Sequence, residues 1–331
     1  MMFLFTEETT LLRGEKKRAW ERLLSSLGLV PGEQRDLTVL MWDEDVLAAT
    51  ASLCGNIIKY VAVSPAYQGE GLTATLITHL KSIAFGKGIT HLFLYTKPGN
   101  ADTFSSLFFY PVASTKDILL LESEKRGVEK FLSSLPVPRT EGLVGCCVMN
   151  CNPFTLGHRY LIETAAKECD FLYVFVLSED KSLFPASDRL ELVRAGTADL
   201  ENVCVLPSGD YLISSATFPD YFLKDRDNVS CAHCMLDIEI FANYYAPRFN
   251  IKRRFVGTEP FSPLTKSYNE ALIAELPKRG IEVREIPRTS VKGVPVSASA
   301  VRKLLRRGAR DELAALVPAS TLAYLEEHGM I

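Results

Sequence analysis

Two short stretches, far apart in the chain, carry residue types that can handle phosphate. The first is Met149-Asn-Cys-Asn-Pro-Phe-Thr-Leu-Gly-His158 and the second is Val296-Ser-Ala-Ser-Ala-Val-Arg302. In the first, Pro153 biases Asn152 toward an extended backbone, and Gly157 allows close backbone approach to a ligand. His158 then falls in the opening turn of a helix, beside amide N–H groups and the positive end of the helix dipole, a setting that suits anionic oxygens. Thr155, three residues earlier, adds a hydroxyl. In the second stretch Ser297 is a helix N-cap, and Ser299 and Arg302 share one face of the first turn. Each stretch alone has a plainer explanation, an Asn-Pro turn with a surface histidine and an ordinary capped helix. Taken as a pair they supply hydroxyls, an imidazole and a guanidinium, which align and neutralise phosphates without needing strong proton transfer. Lys303, Arg306, Arg307 and Arg310 read as a solvated basic face, and Cys231-Ala-His233-Cys234 lacks the second Cys/His pair that a zinc site needs.

The elements that position these residues follow from periodicity. Continuous apolar runs at 142–149 and 171–177 read as parallel strands covered on both faces. Further strands are expected at 203–206, 254–256 and 282–286, with helices from the turn at 150–153 through Cys169 and at 187–199, 234–246, 265–276, 299–307 and 320–327. Repeated strand–helix units call for a doubly wound α/β sheet whose ligand lies beyond the carboxyl ends of its strands. Earlier, 57–63 reads as a strand, 64–71 as a loop, and Leu72, Leu76, Ile77, Leu80, Ile83 and Ala84 as one face of a helix, followed by a strand at 91–96. Two prolines near 133–140 mark a domain edge, placed at residue 137, so that the domains are 1–137 and 138–331.

Composition narrows the function. The chain has 331 residues, 47% hydrophobic and 23% charged, with a net charge of −3. That is a folded protein with no global basic field, and neither nucleic acid nor an anionic membrane is an expected partner. No run reaches the ~20 apolar residues of a bilayer span. Glu7 and Glu8 interrupt the apolar start before a secretory segment can form, so a cytoplasmic location is expected. Cys146, Cys147 and Cys204 sit in apolar patterns and read as reduced, small hydrophobes.

Thr155-Leu-Gly-His158 with Ser297-Ala-Ser299-Ala-Val-Arg302 resembles the nucleotidyltransferase superfamily, with Thr155 at the first position of its His/Thr-x-Gly-His motif. Residues 181–224, including Phe184-Pro-Ala-Ser-Asp-Arg-Leu-Glu-Leu-Val-Arg194 and Leu206-Pro-Ser-Gly-Asp-Tyr-Leu212, and residues 255–269, Phe-Val-Gly-Thr-Glu-Pro-Phe-Ser-Pro-Leu-Thr-Lys-Ser-Tyr-Asn, are similar to the citrate (pro-3S)-lyase ligase family over nearly the whole chain. That resemblance implies an ATP-dependent ligase that makes acetyl-AMP from acetate and passes the acetyl group to a thiol. The thiol is that of the CoA-like prosthetic arm on the acyl carrier subunit of citrate lyase. It implies that Thr155, His158 and Arg302 act on the phosphates, and that Asn152, Pro153, Phe154, Gly157, Gly257, Thr258, Ser297 and Ser299 surround the nucleotide. Mg²⁺ would arrive on the ATP phosphates, with no dedicated metal ligands in the chain. Arg189 reads as helix surface. Ser214, Ser215 and Thr217 are a polar loop or neighbours of the acyl group.

Residues 62–73, Ala-Val-Ser-Pro-Ala-Tyr-Gln-Gly-Glu-Gly-Leu-Thr, join a strand to a helix and resemble the acyl-CoA pyrophosphate loop of GNAT acetyltransferases, with Thr73 in the last small-residue place. The likeness implies a GNAT-like α+β domain ahead of a Rossmann-like, doubly wound parallel-sheet domain. Gln68, Gly69, Gly71 and Asn100 become candidates for holding the CoA-like arm, and the aromatics Phe108-Phe109-Tyr110 read as core. An adenylyltransferase of cofactor synthesis, acting on a pantetheine phosphate or a nicotinamide nucleotide, shares every phosphate-binding residue and stands as the alternative. A non-catalytic sensor of nucleotide and acyl-CoA is a third.

Overall fold

The computed structural model describes residues 3–9, 11–32, 35–138, 141–179, 182–212, 226–260, 262–291 and 294–331. The residues Ser214, Ser215 and Thr217 and the side chain of Cys231 lie outside the described set. Contacts divide the chain into two compact units, one built on Met1–Gly127 and the other on Val128–Phe218 with His233–Ile331.

The first unit is a seven-stranded sheet in the order β1-β2-β3-β4-β5-β7-β6. Its strands are β1 (Leu4–Glu8), β2 (Leu37–Asp43), β3 (Val46–Cys54), β4 (Ile57–Val63), β5 (Phe93–Thr96), β6 (Tyr110–Ser114) and β7 (Leu119–Glu122). Helices α1 (Gly14–Ser26), α2 (Leu72–Gly86) and α3 (Ala101–Ser105) complete it. The apolar face of α2 read from the sequence is the buried one: Leu72, Leu76, Ile77, Leu80 and Ala84 join the core with Val39, Ala51 and Leu94. All ladders are antiparallel except β4–β5, which pairs only at Ile57–Phe93 and Ile58–Leu94. Beyond that short ladder β4 runs on through Val63 into the loop before α2. Of the aromatic run, Phe109 is core, but Phe108 has φ 60° and is 70% exposed, contrary to the expectation that it packs inside.

The second unit begins with α4 (Gly127–Ser134) and is organised by a parallel sheet of β8 (Val144–Met149), β9 (Phe171–Val176), β10 (Val203–Pro207), β11 (Arg253–Gly257) and β12 (Glu282–Ile286). The order β10-β9-β8-β11-β12, parallel throughout, reverses direction between β8 and β11. Such a reversal opens a crevice at the carboxyl ends of the two central strands. Alternation along β9 explains why both faces are covered. Leu172, Val174 and Val176 pack with α5 (Leu156–Lys167) and α6 (Ala186–Gly196), while Tyr173 and Phe175 stack with Phe249 and Tyr245 on the opposite side. The latter aromatics follow α7 (Arg226–Ile240), through a π-helical turn Phe241–Tyr245 and α8 (Ala246–Arg248). The remaining elements are α9 (Pro263–Glu275), the ribbon β13 (Ser290–Val291) and β14 (Val294–Pro295), α10 (Ala298–Leu305), α11 (Arg310–Ala314) and α12 (Ala319–Glu327). Among the described residues no helix is long and apolar enough to cross a membrane.

Candidate nucleotide site

The start of α5 is held by its own side chains. Thr155, extended at φ −128° and ψ 165°, caps the helix, and its hydroxyl accepts the His158 N–H at 3.3 Å. The His158 Nδ1 accepts the Thr155 N–H in return at 3.1 Å and lies 2.9 Å from the Thr155 hydroxyl. This is a reciprocal capping box with imidazole in the place glutamate usually takes. Because Nδ1 accepts a backbone proton, the neutral ring carries its own proton on Nε2, where it can donate. Burial, and then the positive charge of Arg288, push the His158 pKa down to about 4. The imidazole is thus a neutral donor near pH 7. Its ring stacks 6.0 Å from that of Phe154, at 14° between planes.

The second stretch reaches this same helix start. Ser297 caps α10 by accepting the Ala300 N–H at 3.2 Å. Arg302 donates to the Asn152 carbonyl at 2.5 Å and to the Ser299 hydroxyl at 3.2 Å, so it joins the two motifs directly. Burial and the neighbouring Arg306 lower its pKa from the usual guanidinium value. A Cβ added to Gly157 would lie 2.9 Å from the Val296 carbonyl and 3.3 Å from the Val296 Cβ. The sequence suggested that Gly157 leaves room for a ligand; the close neighbour is the other motif instead.

These residues line two adjoining cavities at the crevice between β8 and β11. The larger, about 870 Å³, is lined by Thr155, Gly157 and His158, by Gly257, and by Ser297, Ser299 and Lys303. The smaller, about 580 Å³, is lined by Asn150, Asn152, Arg302 and Arg306. Val148, Asn150, Arg254, Thr265 and Tyr268 belong to both walls. His158 and Arg302 therefore face neighbouring parts of one crevice.

Several residues differ from their sequence-based reading. Lys303 and Arg306 are not merely a solvated face: Ser299, Arg302, Lys303 and Arg306 follow the i, i+3, i+4, i+7 spacing and line the two cavities together. Phe154 is fully buried in the core beneath α5 and does not line either cavity. Pro153, after a cis peptide bond, is also buried. Thr258 is outside both linings. Its hydroxyl accepts the Arg288 N–H at 3.1 Å and its carbonyl accepts Arg288 Nε at 2.7 Å, so it positions that arginine. Arg189 is the largest correction. It is completely buried and donates to the carbonyls of Asn150, Leu177 and Phe184 at 2.8 to 3.0 Å and to that of Glu179. It pins together the chain leaving β8 and β9, whose loops form the crevice mouth.

Glu259, Arg288, Arg254 and Tyr268 also line the larger cavity and were not singled out from sequence. Glu259 and Arg288 form an ion pair at its edge. Their only sequence signal is position, just past the carboxyl ends of β11 and β12.

In the first unit, the loop after β4 and the start of α2 form a shallow cavity of about 330 Å³. It is lined by Gln68, Gly69, Gly71 and Thr73, with Thr103 from α3 and Ser106 just after it. Gly69 and Gly71 have φ of 91° and 76°, values that favour glycine, and no side chain caps the helix. Asn100 does not line this cavity; its amide donates to the Thr96 hydroxyl at 2.8 Å at the start of α3.

A two-unit chain with two helix starts meeting at the switch point of a Rossmann-ordered sheet is the architecture of a nucleotidyltransferase-like enzyme. The family model for the citrate lyase ligase C-terminal domain matches residues 144–325, and that for the acetyltransferase (GNAT) family matches residues 9–105. The citrate (pro-3S)-lyase ligase of Klebsiella pneumoniae is 40% identical over 331 residues, covering 98% of this chain and 97% of that protein. The protein of the same name from Escherichia coli K12 is 39% identical over 327 residues, covering 96% and 93%. The chain belongs to the citrate (pro-3S)-lyase ligase family. It is an ATP-dependent ligase with an N-terminal GNAT domain. The crystal structure of Escherichia coli ElaA aligns with 37% of this chain and 100% of that one at 19% identity and a TM-score of 0.33, which adds nothing to the family match.

Proposed function

We propose that the chain activates acetate with ATP and acetylates the thiol of the CoA-like prosthetic arm on the acyl carrier subunit of citrate lyase. The observation that carries this reading is the Arg302–Asn152 hydrogen bond, which ties the α10 motif to the α5 motif beside a cavity large enough for a nucleotide. Membership of the ligase family supports the choice of acid and partner.

In the first step a carboxylate oxygen of acetate attacks the α-phosphorus. The bond from that phosphorus to the bridging oxygen breaks, and the electron pair leaves on pyrophosphate. The work left to the protein is alignment and stabilisation of the departing charge. His158 Nε2–H, the hydroxyls of Ser297 and Ser299, and the cations Arg302 and Lys303 supply it. No general base is needed, because the acid is already ionised near pH 7. Mg²⁺ carried on the phosphates would share that neutralisation. In the second step the thiol sulfur attacks the acyl carbon, the bond to the AMP oxygen breaks, and the thiol proton passes to solvent, giving a thioester and free AMP.

The GNAT domain is assigned to the arm: the glycine loop of Gln68, Gly69 and Gly71 offers backbone N–H groups to its pyrophosphate. We place this activity in the cytoplasm, a reducing compartment in which buried cysteines such as Cys146, Cys147 and Cys151 stay thiols. Pyrophosphate release from ATP by the purified protein, with acetate, pantetheine phosphate and nicotinamide mononucleotide offered in turn, tests the reading. Release with acetate alone is expected; release with either phosphate compound instead would replace the ligase by an adenylyltransferase.

A further inference from the structure

The wall shared by the two cavities contains a buried cation whose hydrogen bonds are incomplete. Arg254, on β11, is 2% exposed, yet its Nε and Nη1 have no hydrogen-bond partner among the described residues. Buried guanidinium donors are rarely left unmet, and each exception asks for an explanation. The rest of the side chain is firmly held. Nη2 donates to the Tyr268 hydroxyl at 2.9 Å, and that hydroxyl donates to Asp237. The guanidinium lies 4.5 Å from the centre of the Phe241 ring, and Nη1 is 3.7 Å from an Asp237 oxygen, an ion pair too long for a hydrogen bond. The group is therefore preorganised, with two nitrogens uncommitted.

We propose that Arg254 is the binding residue for the carboxylate of the acid substrate, a small monocarboxylate, at the junction of the two cavities. The location fits the chemistry. Arg254 lines both cavities, whereas of the donors assigned to phosphate His158, Ser297, Ser299 and Lys303 line only the larger one and Arg302, at the boundary with Asn152, only the smaller. In the smaller one, Val148, Leu177 and Leu183 offer apolar surface to a short alkyl group, alongside the charged Glu179, Asp237, Arg302 and Arg306. A carboxylate held there completes the guanidinium's hydrogen bonds and stands between the nucleotide cavity and the cavity beside it. Arginine matches a planar anion better than a lysine point charge does. Tyr268 and Asp237 are positioning residues that fix the guanidinium.

The inference rests on the acetate-activating reading above, and the test separates the two. In acetate-dependent pyrophosphate release, Arg254→Gln should raise the KM for acetate by about 10–100-fold, the cost of one charge-assisted hydrogen-bonded contact. The KM for ATP should stay within about twofold. Should Arg254→Gln fail to fold because Asp237 is stranded, Arg254→Lys keeps the charge and carries the same expectation with a smaller rise, about tenfold. An unchanged acetate KM in a folded variant, or an ATP KM that rises equally, overturns the assignment. Saturation-transfer NMR on the acetate methyl in the full-length protein gives an independent readout. If the wild type binds acetate and Arg254→Gln does not, yet no pyrophosphate is released, the reaction is wrong and the site stands. If acetate binds both proteins equally, the site falls whatever the reaction.

Discussion

The junctions after β4 and after β8 both carry the chain from a strand's carboxyl end into a helix, but they are built differently. After β4, Gly69 and Gly71 take positive φ and no side chain caps α2, so the backbone N–H groups at the helix start stay open beside the neutral polar side chains of Gln68, Thr73, Thr103 and Ser106. After β8, Thr155 and His158 lock the helix start, and Arg302 and Ser299 arrive from α10 to crowd the same place. A junction of backbone N–H groups and neutral polar side chains can grip a phosphate without changing its reactivity. A junction supplied with imidazole, hydroxyls and guanidinium can stabilise charge that appears during bond breaking. Under the proposed function, holding falls to the first unit and chemistry to the second.

The sharpest way to break that contrast is Arg302→Ala. It should lower acetate-dependent pyrophosphate release by about 10³-fold or more, as expected of an arginine facing phosphoryl charge, while a folded thermal transition persists. Loss of activity with loss of the transition would make Arg302 a strut only. His158→Ala should slow the same step by about 10²–10³, the effect of one preorganised donor. Gly71→Glu is expected to slow acyl transfer by about tenfold, through like charge and forced left-handed backbone, with pyrophosphate release unchanged. Equal loss in both steps would erase the division between the units. Gly157→Ala probes the contact between motifs: its Cβ would meet the Val296 carbonyl at 2.9 Å, so a loss of about 1–3 kcal/mol and a lower melting midpoint are expected. The smallest effect concerns pH. With a folded pKa of about 4 against 6.5 unfolded, His158 binds its proton more readily in the unfolded chain. Its contribution to stability is therefore intact above about pH 6.5 and is lost as pH falls toward 4. Urea unfolding of His158→Gln across that window should show a flatter pH slope than the wild type.

Much of this was legible in the sequence because it depends on local pattern. β4 and β12 fall where their apolar and boundary signals put them, and His158 lies in the opening turn of the helix after β8, three positions beyond Thr155. Arg189 shows how local reading goes astray. It lies in a helix and carries charge, which suggests surface, yet the buried set Arg189, Leu192, Val193 and Gly196 follows i, i+3, i+4, i+7. The apolar period of its neighbours points to the core face, but the sequence reading followed its charge and put it on the surface. Lys303 and Arg306 are exposed, as a solvated face requires, and also line the two cavities, which their charge alone did not reveal. Arg254, Tyr268, Glu259 and Arg288 had no such signal. Their roles arise from β8 lying beside β11, a pairing across more than a hundred residues that no window of sequence displays. Gly157 was rightly marked as a close approach, but its neighbour comes from α10's leading residue, which the sequence alone could not supply.

Convergence of the imidazole at 158 and the guanidinium at 302 on one triphosphate is most directly measured by a double-mutant cycle in the adenylation step. Groups that stabilise one charge cluster lose their effects non-additively. The double variant His158→Ala/Arg302→Ala should be slower than the worse single variant by less than about tenfold. A fully multiplicative loss would mean that the two side chains act independently, and would contradict a shared phosphate site.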